Sequence, residues 1–572
     1  MIPSRFRFVS ALFALTTFTG CHHHVDVAVT TYHYDNLRTG WNSHEDSLTP
    51  KKVSGPHFDV LFTPTPLDDQ VDAQPLIVPD ETITAGSSPG KHEVVYVATE
   101  SDTVYAIDAA SGNVLIKQTI GQPVPINAWP PPSPLPPAYG CSNNGPNVGI
   151  NSTPVIDRAS NTMYVMAYAF ESGAPVYRIH ALNLSDLTDR VSPVLVSGSH
   201  TLADGTTFPF NAGWQRQRPA LLESNGNIYA AFGSFCDWGG DQSRGWILGW
   251  QTPSLTALPG NQLNDQLANS TPPAGTFLSS IWMSGYGVAA DGAGDLYFVT
   301  GNSDSNLAGG LNCIGSAPCA YYTTYDGYGG APPYTNIQNS VVSLLPDLSA
   351  LHDLFTPWGE AFLDEYDADY GSGGALLLPD QHGPIPHLVA AAGKDGKLYI
   401  LNRDHLGGYN PPGFGGGSTD NVVAEVNVGA CWCGPSYFEG ENDAGFIVSS
   451  GGSNVNVWKV RSSPSVSLIH EGTSPAVAGG GGGGQDSGFF TTVSSDGDDG
   501  AIIWAVSRPD ASGNLWLYAF KAEPPKGSDA LAQLFAKPVG TWSGGNANVV
   551  PVVANGKVYV ATFQQLTIFG LK

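Results

Sequence analysis

The sequence predicts an all-β protein built as a single eight-bladed β-propeller. Three observations carry that expectation. Short runs rich in β-branched and aromatic residues recur at a spacing of roughly 40 to 70 residues, separated by Gly, Asp or Asn turns. The 572 residues include Gly 69 and Pro 44, which supply turns and spoil helix interiors. The last recurring unit holds only three strand-like runs, where a blade needs about four, and a spare run, Phe58 to Thr63, stands near the start. Pairing the two would close a ring and leave no open sheet edge.

Taken in chain order, Arg5 and Arg7, the apolar run Phe8 to Phe18 and the sequence Thr19-Gly20-Cys21 have the layout of an export signal. Small residues before a cysteine mark Cys21 as the expected lipidation site, with Phe18 standing where such signals usually carry Leu. Residues 1–21 are therefore read as a lipoprotein-type signal peptide, 22–50 as a tether and leading segment, and 51–572 as the propeller. His22-His23-His24 falls in the tether.

The first blade opens with Val94-Val95-Tyr96-Val97-Ala98, turns at Glu100-Ser101-Asp102 and returns through Val104 to Asp108. Comparable pairs follow at Thr153 to Asp157 with Met163 to Met166, and at Arg218 to Leu221 with Asn227 to Tyr229. More recur at Asp295 to Phe298, Lys397 to Ile400, Phe446 to Trp458 and Ala501 to Phe520. The eighth comprises Asn548 to Ala554, Lys557 to Thr562 and Leu566 to Leu571. Ala128 to Ala138, Leu307 to Asn336, Asn410 to Thr419 and Ala478 to Ser487 read as loops projecting from the ring. The glycine run Gly479 to Gly484 lacks a following Lys-Ser/Thr and is a loop, not a phosphate cradle. Asp496-Gly497-Asp498-Asp499-Gly500 lacks the distal Glu of a calcium loop and reads as a hairpin tip.

Lys+Arg 24 against Asp+Glu 50 gives a net charge of −26, which repels phosphate backbones and disfavours nucleic-acid binding. Besides Cys21 there are six cysteines, an even number in an exported chain, so disulfides are the default expectation. Cys313 and Cys319 are expected to close a local loop, and Cys431-Trp432-Cys433 leaves a redox or metal pair open as the less favoured alternative. No Gly-x-Ser-x-Gly or His-Glu-x-x-His occurs, so serine-hydrolase and zincin readings have no local support.

Several stretches resemble the bacterial quinoprotein-like propeller repeat family. These are Tyr34-Asp35-Asn36, Arg38-Thr39-Gly40, Asn42, Leu48-Thr49-Pro50, Asp72-Ala73-Gln74-Pro75-Leu76, Gly371-Ser372-Gly373-Gly374, Gly393 to Asp404 and Cys431 to Phe438. The resemblance implies a propeller of the quinoprotein alcohol dehydrogenase type. That ring serves both quinone-dependent alcohol dehydrogenases and non-catalytic envelope propellers such as the outer-membrane assembly lipoprotein. In the dehydrogenases, pyrroloquinoline quinone sits over the channel beside Ca²⁺ or a lanthanide, and an Asp takes the alcohol proton.

By the resemblance, Thr300-Gly301-Asn302 makes Asn302 a candidate metal ligand. Tyr366-Asp367-Ala368-Asp369 makes Asp367 the candidate proton acceptor and Asp369 a further ligand. Lys394 matches the basic residue on the quinone oxygens. Three features depart from the family: no adjacent Cys-Cys pair is present, the ligating Glu has only Asp237 and Asp241 as loose substitutes, and Ile116 stands where the repeat usually has Trp after Ser111-Gly112. The expectation is accordingly an exported, lipid-anchored binding or scaffold module of the periplasm or cell surface. It would engage an envelope protein, glycan or small ligand at the channel mouth and touch membrane only through its N-terminal lipid. The alternative is an alcohol or sugar dehydrogenase dependent on pyrroloquinoline quinone and a metal.

Overall fold

A computed structural model describes residues 25–126, 146–201, 207–235, 243–258, 277–303, 337–409, 419–479, 487–543 and 547–572. Cys21, the His22 tether, Cys141, Cys236, Asp237, Asp241, Cys313 and Cys319 lie outside the described residues.

The strands group into eight antiparallel blades, each built mainly from consecutive strands. Blade 1 comprises Leu76–Ile83, Gly90–Thr99, Thr103–Asp108 and Val114–Thr119. Blade 2 comprises Val155–Asp157, Thr162–Glu171, Ala174–Asn183 and Val194–Leu195. In blade 3, Gln215–Gln217 and Leu222–Ser224 both pair with Asn227–Ser234, followed by Trp246–Gln251 and Thr256–Ala257. Blade 4 runs Ala289–Ala290, Leu296–Val299, Val341–Leu344 and Leu351–Thr356, blade 5 Ala375–Leu377, Leu388–Ala392, Lys397–Asn402 and Ala424–Asn427. Blade 6 runs Ser436–Gly440, Ala444–Ser449, Asn456–Arg461 and Ser467–Thr473, blade 7 Phe490–Asp496, Asp499–Val506, Asn514–Lys521 and Gln533–Thr541.

Blade 8 joins the ends of the chain. Val552–Ala554, Lys557–Thr562 and Gln565–Leu571 supply three strands, and Phe58–Val60 pairs antiparallel with the last, Phe58 opposite Leu571 and Val60 opposite Phe569. The spare strand expected near the N-terminus thus completes the C-terminal blade. Asp496–Asp499 is a hairpin turn in blade 7, as its sequence implied.

Each sheet is covered on both faces by its neighbours, so the central strands are continuously apolar rather than alternating. Val94 to Ala98, all buried, show the pattern. Apolar clusters bind the blades around the whole ring. One packs Val95, Tyr105 and Ile107 of blade 1 against Tyr559, Leu566 and Ile568 of blade 8. Another packs Trp504 and Leu517 of blade 7 against Val558, Phe569 and Phe58 of blade 8. Full burial of such a side chain is worth about 1.5–3 kcal/mol, and the ring gains these contacts at every joint, closure included.

The leading segment fills the channel and hydrogen-bonds to all eight blades. Val29 exchanges backbone bonds with Ile77 of blade 1, and Ile156 N of blade 2 donates to Thr30 O. The buried Arg38 guanidinium donates to Leu221 O beside blade 3 and to Val288 O at blade 4, and Leu377 N of blade 5 donates to Leu37 O. Tyr437 N of blade 6 donates to Thr39 O, Val493 N of blade 7 to Gly40 O, and Asn42 Nδ2 donates to Val553 O of blade 8. Trp41–Asn42 continues as a parallel strand on the inner edge of blade 7.

Candidate functional site at the channel mouth

Two sets of segments meet at one end of the channel: the approaches to the innermost strands and the hairpins joining each second strand to its third. Both lie at the same end because successive strands run antiparallel. On each inner strand the leading segment bonds a few residues further along, so it forms a floor beneath this mouth.

The four candidate residues come together there. Lys394 sits in the hairpin between Leu388–Ala392 and Lys397–Asn402, yet it is buried rather than solvated. Its Nζ lies 2.8 Å from Asp369 Oδ2 and 3.0 Å from Asp367 Oδ2, and it also donates to the Asp367 carbonyl. Asn302 follows the strand Leu296–Val299 of blade 4; its Nδ2 donates to Asp367 Oδ1 at 3.1 Å and its backbone N to Asp369 Oδ1 at 2.9 Å. Asp369 is fully enclosed, whereas the Asp367 side chain is 56% exposed and faces solvent. Desolvation by the surrounding protein, then the charge on Asp369, push the Asp367 carboxyl up to about 6, opposed by Lys394. Because so much of that carboxyl stays in water, the direction of the shift matters here more than its size.

Asp367 lies in the left-handed backbone region at φ 54°, and Ser279, Met283, Ser284 and Asn339 share that conformation in the segments between blades 3 and 5. Such residues each cost about 1–3 kcal/mol and gather at functional sites. Behind the pair, Asp364 accepts from Ser303 N at 3.1 Å and Asn339 Nδ2 at 2.8 Å, and Gln338 Nε2 donates to both Asp364 and Glu360. Burial, then the Glu360 charge, raise the Asp364 pKa well above the ordinary carboxylate range.

Sequence reasoning missed the aromatic part. Lys394 Nζ stands over both Trp282 and Trp432, 5.7 and 5.1 Å from their ring centroids, and the two indoles meet edge to face at 5.5 Å. Arg218 covers Trp282 at 5.7 Å and Arg508 covers Trp432 at 5.3 Å, which makes a ladder of alternating cations and rings across the mouth. The sulfurs of Cys431 and Cys433 lie within bonding distance and bracket Trp432. Trp282 carried no motif, and Trp432 stood inside the family-like stretch Cys431 to Phe438 without a role of its own.

A quinone–metal pair fits these residues poorly. The oxygen donors have the right character, and Asn302 Oδ1 is buried without a partner among the described residues. However, the Lys394 ammonium already bridges the two carboxylates where a cation would sit. Trp282 and Trp432 meet edge to face at 74° and leave no gap between them for a flat ring. Among the described residues, no group of three or more His, Cys, Asp or Glu is arranged to hold a metal ion.

No protein-family model matches the sequence, and no curated protein does. Solved structures match its shape. Quinohemoprotein alcohol dehydrogenase ADHIIG from Pseudomonas putida HK5 aligns with TM-score 0.58 at 13% identity, over 95% of this chain and 80% of that one. The quinohemoprotein alcohol dehydrogenase from Comamonas testosteroni gives 0.53 at 12% identity over the same shares. A europium-containing methanol dehydrogenase gives 0.56 at 10% identity, over 95% of this chain and 98% of that one. At these identities the likeness is one of fold, and this chain has the eight-bladed propeller fold of the quinoprotein alcohol dehydrogenases.

Proposed function

We propose that the protein is an exported, lipid-anchored propeller of the cell envelope that binds a ligand at the channel mouth. The observation that carries the reading is a floored mouth ringed by buried polar side chains with unspent hydrogen-bonding capacity. Arg216 Nη2, Arg218 Nη2, Trp282 Nε1, Asn302 Oδ1 and Trp432 Nε1 are all buried without a partner among the described residues. Native interiors leave few such groups, so their concentration at one end of one channel argues for a polar molecule that completes them. A propeller serving only as a rigid spacer would have no use for them.

The test is equilibrium binding of sugars, sugar acids and envelope glycans, followed by tryptophan fluorescence, since Trp282 and Trp432 would report directly. The reading predicts a saturable change that Trp432→Ala removes. Binding that persists unchanged in that variant would place the ligand elsewhere and end the proposal.

A second reading, an alcohol or sugar dehydrogenase dependent on pyrroloquinoline quinone, has one observation in its favour: Asn302, Asp367, Asp369 and Lys394 converge, with Asp367 half in solvent and raised toward neutrality. In that reading Asp367 would take the proton from a substrate hydroxyl, and Lys394 would hold it in place. Reconstitution with the quinone and Ca²⁺ or a lanthanide tests it. A bound-cofactor spectrum with dye reduction by an alcohol supports it, and no uptake of the quinone eliminates it.

A further inference from the structure

The mouth holds buried guanidinium groups with unfilled donors, which bears on what it binds. Arg216 and Arg218 stand two apart at the start of blade 3, on the same side of the chain, and both are at least nine-tenths buried in a protein of net charge −26. Arg216 Nε donates to Asn151 Oδ1 at 3.2 Å, Asn151 Nδ2 donates to Glu100 Oε1 at 2.5 Å, and Gly149 N to Glu100 Oε2 at 2.7 Å. The charges felt by Arg218 are the cations Arg216 and Arg508 and the acids Asp72 and Glu100. Glu100 already accepts from Gly149 N and Asn151 Nδ2, so its oxygens are engaged away from Arg218.

Beside the Asp102 oxygens, three buried donors on this side have no partner among the described residues: Arg216 Nη2, Arg218 Nη2 and Trp282 Nε1. A buried guanidinium left without an acceptor costs several kcal/mol, and like-charged neighbours add to that cost. Burial and the repulsion of Arg216 hold the Arg218 pKa down at about 9.

We propose that the channel mouth is an oxyanion site, in which Arg216 and Arg218 take the carboxylate or phosphate of a small ligand and Trp282 Nε1 donates a further hydrogen bond. The proposal rests on the binding reading above and gives its ligand a chemical class. A sugar acid suits it best, because the same mouth presents the half-exposed Asp367 carboxylate, an acceptor for ligand hydroxyls. The guanidinium forks match planar carboxylates in two-point contacts, which a lysine cannot do.

The experiment is calorimetric titration of the full chain with D-glucuronate, its neutral methyl ester, D-glucose, acetate and inorganic phosphate. Glucuronate should bind at least about tenfold more tightly than its methyl ester or glucose, as one charge-assisted hydrogen bond implies, and chloride should compete. Arg218→Gln should abolish that preference. The methyl-ester comparison needs only the native protein, so the inference stays testable even if the variant fails to fold. Acetate binding without phosphate binding would assign a carboxylate, and the reverse a phosphate. Equal affinity for glucose and glucuronate would overturn the oxyanion assignment while leaving a mouth-binding function intact. Binding of none of the probes would overturn the assignment as well.

Discussion

Replacing Lys394 by Met tests the centre of the site, because it removes the cation while keeping most of the side-chain volume. Asp369 is wholly buried and its Oδ2 lies 2.8 Å from the ammonium. At an effective dielectric near 20, that separation is worth about 6 kcal/mol of attraction. Burying the lysine returns part of this, and removing one partner of a buried pair typically costs about 3–5 kcal/mol. Asn302 N still donates to Asp369 Oδ1 in the variant, which favours the lower half of that range.

The pH dependence gives the sharper signature. Lys394 opposes the upward shift of its other partner, Asp367, so without it that carboxyl, already raised to about 6, is raised further. A raised carboxyl contributes stability fully at pH values below the unfolded pKa and loses it as pH climbs through the folded one. The deficit of Lys394→Met relative to the native protein, read from urea midpoints, should therefore be largest at pH 8 and shrink toward pH 5. A deficit of the same size at both pH values would mean that Lys394 stabilises by packing alone. No deficit at pH 8 would refute the ion-pair account outright.

Burial pushes the Glu360 carboxyl up to about 7, with Gln338 and Tyr409 donating to it; its contribution is thus complete below about 4.5 and lost as pH rises through about 7. Glu360→Gln should raise stability at pH 8 by up to about 3 kcal/mol and leave pH 5 nearly unchanged, as thermal melts at the two pH values would reveal. Arg38→Met should lower the urea midpoint by an amount equivalent to about 2–5 kcal/mol, since Val288 O and Leu221 O lose their buried donor; an unchanged midpoint would show that the channel floor adds nothing to the ring. Cys21→Ser should move the protein from the detergent phase to the aqueous phase in Triton X-114 partitioning, and equal partitioning of both forms would dismiss the lipid anchor.

The ring was legible because blades write themselves into sequence twice, as apolar runs such as Val94 to Ala98 and as the turns between them. Closure was legible by subtraction: the last unit lacked a strand and Phe58 to Thr63 had no other partner. Asn302, Asp367, Asp369 and Lys394 were found through local motifs, and the structure places them within hydrogen-bonding reach. What sequence could not carry is contact between distant blades. Trp282 and Trp432 are 150 residues apart, so their meeting over Lys394 depends on how blades are set around the ring. Arg38 was noted only as part of a motif, and nothing local implied that its guanidinium would reach two blades.

The floor and the mouth are two consequences of one arrangement. A propeller held only by neighbour contacts has a water-accessible axis, and polar groups lining it could be satisfied by water. Here the leading segment runs across the inner strands and spends backbone and side-chain groups on every blade, from Ile77 in the first to Val553 in the eighth. Above it, a buried charge such as Lys394 is compensated locally, by Asp367 and Asp369. The segment also lets the mouth carry unfavourable features, including the left-handed Asp367 and the unfilled guanidinium donors of Arg216 and Arg218. Their cost is offset by contacts that tie all eight blades to one short segment, so the strained end of the channel cannot relax without disturbing the ring that holds it.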